Sequence, residues 1–302
     1  MHYFGILLKS YDGDFDLAER LIESFNKYNP ESLPMFIVVP EEDVQKFSRF
    51  ASNTITVLSE SLLGEYLVDH EVAGIRPGYI NQEIVKLSFW ELGLTENYFC
   101  VDSDAVFIRP LTVDDFMYDE HTPYTVLVED NELKVDPKYY AEHWQGREIA
   151  LRRIQHEVGL KDRRLLTCHG HQVFSSVVLR SLKEEFLTSR NWAYADMLDV
   201  SPYEFTWYNM WLQQSRVIPI EIREPLVKTV HHEGHELELA LRRIQTNDLS
   251  RGYCALVINS NFRSPTLNTA KSRLFNTSLA QRLTFRDILS ITLQKTRRNI
   301  GL

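Results

Sequence analysis

Cysteine is scarce in this chain, and long uninterrupted apolar runs are missing. The three cysteines among 302 residues, Cys100, Cys168 and Cys254, are odd in number and far apart. They offer neither a disulfide framework nor a zinc-ligand spacing, and two lie inside apolar runs, so they read as reduced structural thiols. No stretch approaches the roughly 20 apolar residues of a membrane span. The opening Met1-His-Tyr-Phe-Gly5 reads as a strand and not as a secretory signal. These absences together set the expectation of a cytoplasmic protein. Basic charge is short as well, with 33 Lys and Arg against 42 Asp and Glu, a net charge of −9. The shortage is uneven. From Arg263 onward eight basic residues face one acid, Asp287, so that segment carries +7 and the preceding 262 residues carry −16. An acidic body is a poor match for nucleic acid, whereas a basic tail suits an anionic surface, here the inner face of a membrane as a peripheral contact.

What is present is a globular composition, 44% hydrophobic and 12% aromatic, with material for one large or two small domains. The densest stretch is Tyr98-Phe-Cys-Val-Asp-Ser-Asp-Ala-Val-Phe-Ile-Arg109. An apolar run of this kind reads as a strand buried on both faces. If the segment stays extended, residues two apart point the same way, and Asp102 and Asp104 aim their carboxylates at one point. Two such charges repel unless a proton or cation lies between them. A hard divalent ion, Mg²⁺ or Mn²⁺, removes that cost and keeps positions open for phosphate. A surface turn after a strand uses the same residue types.

The chain around this stretch alternates strand and helix. Tyr3 to Lys9, Met35 to Val39 and Ile55 to Leu58 read as strands. Asp14 reads as the N-cap of a helix with the apolar stripe Leu17, Leu21 and Phe25. The order predicts a right-handed, mostly parallel α/β sheet flanked by helices, with ligands at the carboxyl ends of its strands, where Ser10, Tyr11 and Asp12 fall. Tyr79 to Leu92 reads as a helix closed by Gly93, with Ile80, Ile84 and Leu87 inward. Gln82 and Lys86, four apart, share another face of it, and Lys86 is within reach of an anion held at Asp102.

Further strands are predicted over Tyr124 to Val128, ending in Glu129-Asp130, and over Val217 to Ile222. Asp136-Pro137 opens a helix. Cys168-His-Gly-His-Gln172 reads as a loop in close backbone approach, with His171 able to contact a ligand. Trp207 and Trp211 read as core, and Tyr203-Glu204 as the start of their helix. Val227-Lys-Thr-Val-His-His-Glu-Gly-His235 follows, and His231 or His232 can add an imidazole to a metal held by carboxylates. The echo of Ala150-Leu-Arg-Arg-Ile-Gln155 in Ala240-Leu-Arg-Arg-Ile-Gln245 reads as shared helix composition and not as a repeat. A body of residues 1–260 and a basic helical tail of residues 261–302 complete the layout.

Apolar strand, Asp-Ser-Asp, apolar strand and Arg-Pro resembles the Asp-x-Asp signature of GT-A-type nucleotide-sugar glycosyltransferases. Gly78-Tyr-Ile-Asn-Gln-Glu-Ile-Val-Lys-Leu87 resembles the helix that comes before that signature. His231-His-Glu-Gly234 is similar to the His-x-x-Gly element of glycogenin-like retaining enzymes, although no Lys-Pro-Trp follows it. The order of parts from Tyr3 to about Ile258 also resembles a bacterial GT-A-like family of unknown function. The resemblance implies a GT-A-like fold and a metal-dependent transfer of sugar from a nucleoside-diphosphate donor, UDP-linked, to a glycan or glycolipid acceptor, as in polysaccharide biosynthesis. It implies Asp104 as a direct ligand of Mn²⁺ or Mg²⁺, with Asp102 on ribose or metal and His231 or His232 joining them. Ser10 and Tyr11 would border the base. Lys86, with Gln82 and His171, would meet donor phosphate or sugar.

An inverting enzyme needs a carboxylate base, for which Glu204, then Asp199 or Asp130, is the candidate. A retaining enzyme leaves Glu204 to position sugar, and the histidine element tilts towards retention. Two other readings share these residues. Asp102-Ser-Asp-Ala-Val106 also matches a haloacid-dehalogenase-type phosphatase motif, with Asp102 as nucleophile and Asp104 as acid. A sugar-nucleotide-binding module without turnover is the other.

Overall fold

In the computed structural model, which describes residues 2–129, 137–168, 170–230, 239, 244 and 246–258, the apolar runs of the sequence become the strands of one central sheet. β1 (His2–Lys9) leads through a turn into α1 (Phe15–Lys27). β2 (Met35–Val39), the short α2 (Val44–Phe47) and β3 (Ile55–Ser59) follow. α3 (Pro77–Ser88) then precedes β4 (Thr95–Val101) and β5 (Ala105–Phe107). After β6 (Tyr124–Thr125) come the long α4 (Pro137–Glu157) and β7 (Val173–Ser175). α5 (Ser176–Ser181) continues through a π-helical stretch into α6 (Thr188–Arg190). α7 (Tyr194–Val200), α8 (Glu204–Ser215), β8 (Glu221–Ile222), β9 (Val227–Val230) and β10 (Ala255–Ile258) end the described chain.

The central sheet has five strands in the order β3-β2-β1-β4-β7. Its first four are mutually parallel and β7 is antiparallel to β4. The expected architecture, a mostly parallel sheet flanked by helices, is therefore present. Side-chain alternation on β4 sends Tyr98 and Cys100 into one core, with α3, α5 and α8, and Phe99 and Val101 into a second, with α1. All four are fully buried, which explains why the run shows no polar alternation. The inward residues Ile80, Ile84 and Leu87 of α3 are fully buried as well. Gly93, in the left-handed region at φ 65°, ends the turn that closes α3, a conformation that costs glycine little. Trp207 and Trp211 are core residues, as expected, and the three cysteines are buried and free.

Several expectations change. The stripe of α1 is Phe15, Ala18, Leu21, Ile22 and Phe25, with Leu17 only half-buried, and Asp14 makes no side-chain cap hydrogen bond. The strand expected over Tyr124 to Val128 is reduced to Tyr124–Thr125, with Val128 in an isolated bridge to Thr167. That over Val217 to Ile222 is reduced to Glu221–Ile222. The largest change is at Asp102. β5 does not prolong β4 but joins a separate three-stranded sheet of order β5-β10-β9. The backbone N–H of Ala105 donates to the Asp102 carbonyl at 3.0 Å, so Asp-Ser-Asp is a tight turn between two sheets. Among the described residues no helix is long and apolar enough to cross a membrane. The tail from 261, with its expected membrane contact, lies outside them.

Candidate active site

Three elements meet at the carboxyl end of β4. α3 turns directly into β4, so its first turns lie beside the end of that strand, and the Tyr98 hydroxyl fixes the packing by donating to the Lys86 carbonyl at 2.7 Å. Asp102, next in phase after Tyr98 and Cys100, faces the same core as α3 and α8. From that position one oxygen of Asp102 is 2.9 Å from the Lys86 ammonium, and an oxygen of Glu204, the first residue of α8, is also 2.9 Å from it. The Gln82 amide donates to the same Asp102 oxygen at 3.4 Å. The other Asp102 oxygen lies 3.8 Å from His171 Nε2.

The structure thus gathers Gln82, Lys86, Asp102, His171 and Glu204 into one cluster from four separated parts of the chain. Lys86 holds a place different from the one expected. Its side chain is 4% exposed and its ammonium is engaged by two carboxylates of the protein, so it does not stand open to a donor phosphate. Burial pulls the Lys86 pKa down, but Asp102 and Glu204 outweigh that and hold it well above the ordinary lysine value. His171 is buried and sits at φ 59°, after Gly170 at φ 105°. A non-glycine residue in that region stores backbone strain, which the packing around the site must hold.

Ser10, at the end of β1, is buried and its hydroxyl accepts from Ser103 Oγ at 3.0 Å, which ties the first strand to the Asp102 turn. Tyr11 stands 42% exposed at the rim, its ring lying so close over Gly13 that a Cβ there would fall within 2.5 Å of it. Asp104 is half-buried in the turn. Asp199 is not part of the cluster. It accepts from the backbone N–H of Ala73 at 2.9 Å and so pins the turn before α3. Asp130, His231 and His232 lie outside the described residues. Val257 pairs with both Ala105 and Thr229, and Ile258 with Val230, so β9 ends at the sheet edge that carries Asp104.

Sequence reasoning missed Glu83 and Tyr79. Glu83 is 2% exposed, and its carboxyl oxygens make no well-formed hydrogen bond, the Tyr79 hydroxyl lying near them without the geometry of one. Burial, then the neighbouring Glu204, push its pKa well above the ordinary glutamate value, with Lys86 and the Tyr79 hydroxyl pulling the other way. Tyr79 is 41% exposed, yet desolvation around its hydroxyl, then Glu83 and Glu204, also raise its phenol. The available signal was Glu83's place three after Ile80 and four before Leu87, inside the inward stripe of α3. A surface cavity of about 730 Å³ on α4, lined by Glu148, Ile149, Arg152 and Val200 among others, contains none of these residues.

Among the described residues no three His, Cys, Asp or Glu side chains form a metal cage. A hard divalent ion bound with a donor does not require one, because one or two carboxylates plus phosphate oxygens suffice. Asp102 and Asp104, both half-buried and two residues apart in the turn, are of the ligand type such an ion takes.

Comparisons with known proteins agree with this architecture. A family described as "Family of unknown function (DUF6492)" matches residues 6–255. A search of curated proteins finds no match. Among solved structures, the WbbM bifunctional glycosyltransferase superposes with a TM-score of 0.51 at 13% identity, covering 96% of this chain and 49% of that one. The chain therefore spans about half of WbbM. Mouse xyloside xylosyltransferase 1 superposes with a TM-score of 0.45 at 12% identity, covering 88% of this chain and 100% of that one. The fold is GT-A-like.

Proposed function

We propose, for a chain that belongs to DUF6492, a family of unknown function, that it is a glycosyltransferase moving a sugar from a nucleoside-diphosphate donor, UDP-linked, to a glycan or glycolipid acceptor. The observation that carries this reading is the joining of Asp102, Lys86, Glu204, Gln82 and His171 at the carboxyl end of a parallel strand, beside Asp104. That end is where open α/β sheets take ligands, and the GT-A-like fold agrees with it.

Asp104 and the outer oxygen of Asp102, with His231 or His232, would hold Mn²⁺ or Mg²⁺. Such an ion supplies stabilisation of the charge that collects on a leaving diphosphate. The chain's own residues do the rest. Ser10 and Tyr11 border the base, and Ser103 fixes Ser10. Gln82 and His171 orient groups beside Asp102. Lys86 locks Asp102 and Glu204 in place, and Glu204 offers its remaining oxygen either to an acceptor proton or to a sugar hydroxyl. Residues 1–260 form the catalytic unit in this proposal, and the basic residues from 261 a peripheral contact with an anionic membrane.

The test is thermal stabilisation by UDP with Mn²⁺. Wild type should gain stability only with both together, and Asp104→Asn should lose most of that gain while melting normally without ligand. Equal stabilisation of the variant would remove Asp104 from the site. Hydrolysis of a nucleotide sugar by wild type, absent in the variant, would establish turnover and separate the transferase from a module that only binds.

A further inference from the structure

The end of β7 holds polar groups to which the fold gives no partner. Gln172 is 1% exposed, and both its amide nitrogen and its amide oxygen are shut from solvent without a hydrogen bond among the described residues. The other buried amides are all at least half used. Asn97 donates to the Tyr3 carbonyl at 3.1 Å and Asn209 to that of Val126 at 3.4 Å. Gln155 donates to two carbonyls and accepts from Arg152. Next to Gln172, His171 is buried as well, and its Nδ1 has no partner among the described residues. A hydrocarbon side chain fills such a place at less cost, since an unpaired buried amide loses its water and gains nothing in return.

Their position is that of the candidate site. β4 and β7 pair Tyr98 with Phe174 and Phe99 with Val173, and the Cys100 N–H donates to the Gln172 carbonyl at 3.0 Å. Gln172 therefore stands opposite Cys100, and cross-strand partners share a face of the sheet. Tyr98, Cys100 and Phe174 all lie in the core on that face, and Asp102 follows Cys100 in the same phase. The start of α8 covers it, where the Phe205 ring meets Phe174 at 5.2 Å and lies 3.9 Å from the position of a Cβ on Gly170. Glu204 precedes that ring, and His171 Nε2 is 3.8 Å from Asp102.

We propose that Gln172 and His171 read the hydroxyls of the donor sugar, an inference that rests on the transferase reading. A hydroxyl both donates and accepts, so a neighbouring pair of them answers an amide that offers a donor and an acceptor, with an imidazole nitrogen beside it. A donor with its diphosphate at the Asp102–Asp104 turn has its sugar one bond further on, and the end of β7 is a wall beside Asp102. The rotatable bonds of Gln172 carry its amide towards that edge while the strand stays paired. Unpaired in the free protein, these groups give up no bond when a sugar takes them. A sugar with its hydroxyls elsewhere leaves them unpaired and binds less well.

The test uses the full chain with Mn²⁺ and the donors UDP-glucose, UDP-galactose and GDP-mannose, with UDP and GDP as baselines without sugar. Gln172→Met keeps the length of the side chain and loses the amide. The donor that wild type binds best should bind the variant about tenfold or more weakly, while its nucleoside diphosphate binds unchanged. The variant should melt at or above wild type, because an idle polar group has left the core. A lower melting temperature would show the amide to be bonded within the fold and would overturn the inference. An equal change for donor and diphosphate, or no change for either, would overturn it too. Binding of UDP or GDP with none of the three donors would do the same and leave the nucleotide site standing. If nothing binds, the transferase reading falls and the inference with it. His171→Asn, an exchange that tolerates the left-handed backbone, should weaken the same donor and spare its diphosphate, and equal weakening of both would strike His171 from the proposal.

Discussion

The two ends of the β4–β5 segment each carry a buried or half-buried ion group, and they are built on opposite plans. Beyond β5, Arg109 binds Asp115 through two parallel hydrogen bonds of 2.7 and 2.8 Å. Asp115 also accepts from the backbone and hydroxyl of Thr112, and Arg109 donates to the Pro110 carbonyl. One cation meets one anion in this bidentate pair, and the Asp115 carboxyl is held below its usual range despite burial. Beyond β4, one ammonium serves two carboxylates, and a third acid, Glu83, is buried beside Glu204. In the first group Arg223 adds a second positive charge near Asp115, and the whole group, tied to the turn by Thr112, explains itself as a brace. The second group sets one ammonium between two carboxylates at a strand's carboxyl end, and shifted, mutually dependent groups of this kind gather at functional sites.

The comparison can be broken most forcefully at Lys86. Lys86→Met leaves two carboxylates without their cation, and removal of one partner from a buried ion group costs about 3–5 kcal/mol. Chemical denaturation should show that loss, and adding Glu204→Gln should recover part of it, because one stranded charge is removed. Full stability of the single variant would mean that water already solvates the cluster. Arg109→Met should cost less, roughly 1.5–3 kcal/mol as for hydrogen bonds to a charged group, since Asp115 keeps its Thr112 contacts and some water. It should leave nucleotide binding unchanged. A change in UDP affinity with Arg109→Met would erase the distinction between brace and site.

The sequence carried the sheet well, because strands buried on both faces leave unbroken apolar runs such as Met35 to Val39 and Tyr98 to Val101. It also marked Asp102, Lys86, Gln82, His171 and Glu204 individually. It did not reveal that Lys86 and Glu204 touch, since 118 positions separate them and only packing of α3 against α8 joins them. It left the geometry of Asp102-Ser-Asp104 open, because an extended segment and a tight turn share those residue types, and the choice was made by β5 pairing with β10, far along the chain. Asp199 read as a base candidate for its charge alone, whereas a backbone amide 126 positions away uses it. Glu83 escaped notice because a charged residue in a helix is usually solvated, and its inward phase was outweighed by its chemistry.

The smallest effect expected is a slope and not a loss, and it sharpens the contrast at Glu83. Its folded pKa lies above the unfolded one, chiefly through burial and then Glu204. The folded state therefore binds more protons than the unfolded state over the interval between those two values, and stability falls as pH rises through it. Below the unfolded value both states are protonated and the penalty vanishes; above the folded value it is complete and constant. Glu83→Gln keeps the shape of a neutral carboxylic acid and cannot ionise. The variant should match wild type in acid and pull ahead as pH rises from the ordinary glutamate range towards neutrality. An infrared carboxylic-acid carbonyl band near neutral pH, present in wild type and missing in the variant, would identify the group. Parallel stability curves for the two proteins would show that Glu83 ionises freely, and that the cluster is less dry and less one-sided than the pair at Arg109 makes it look.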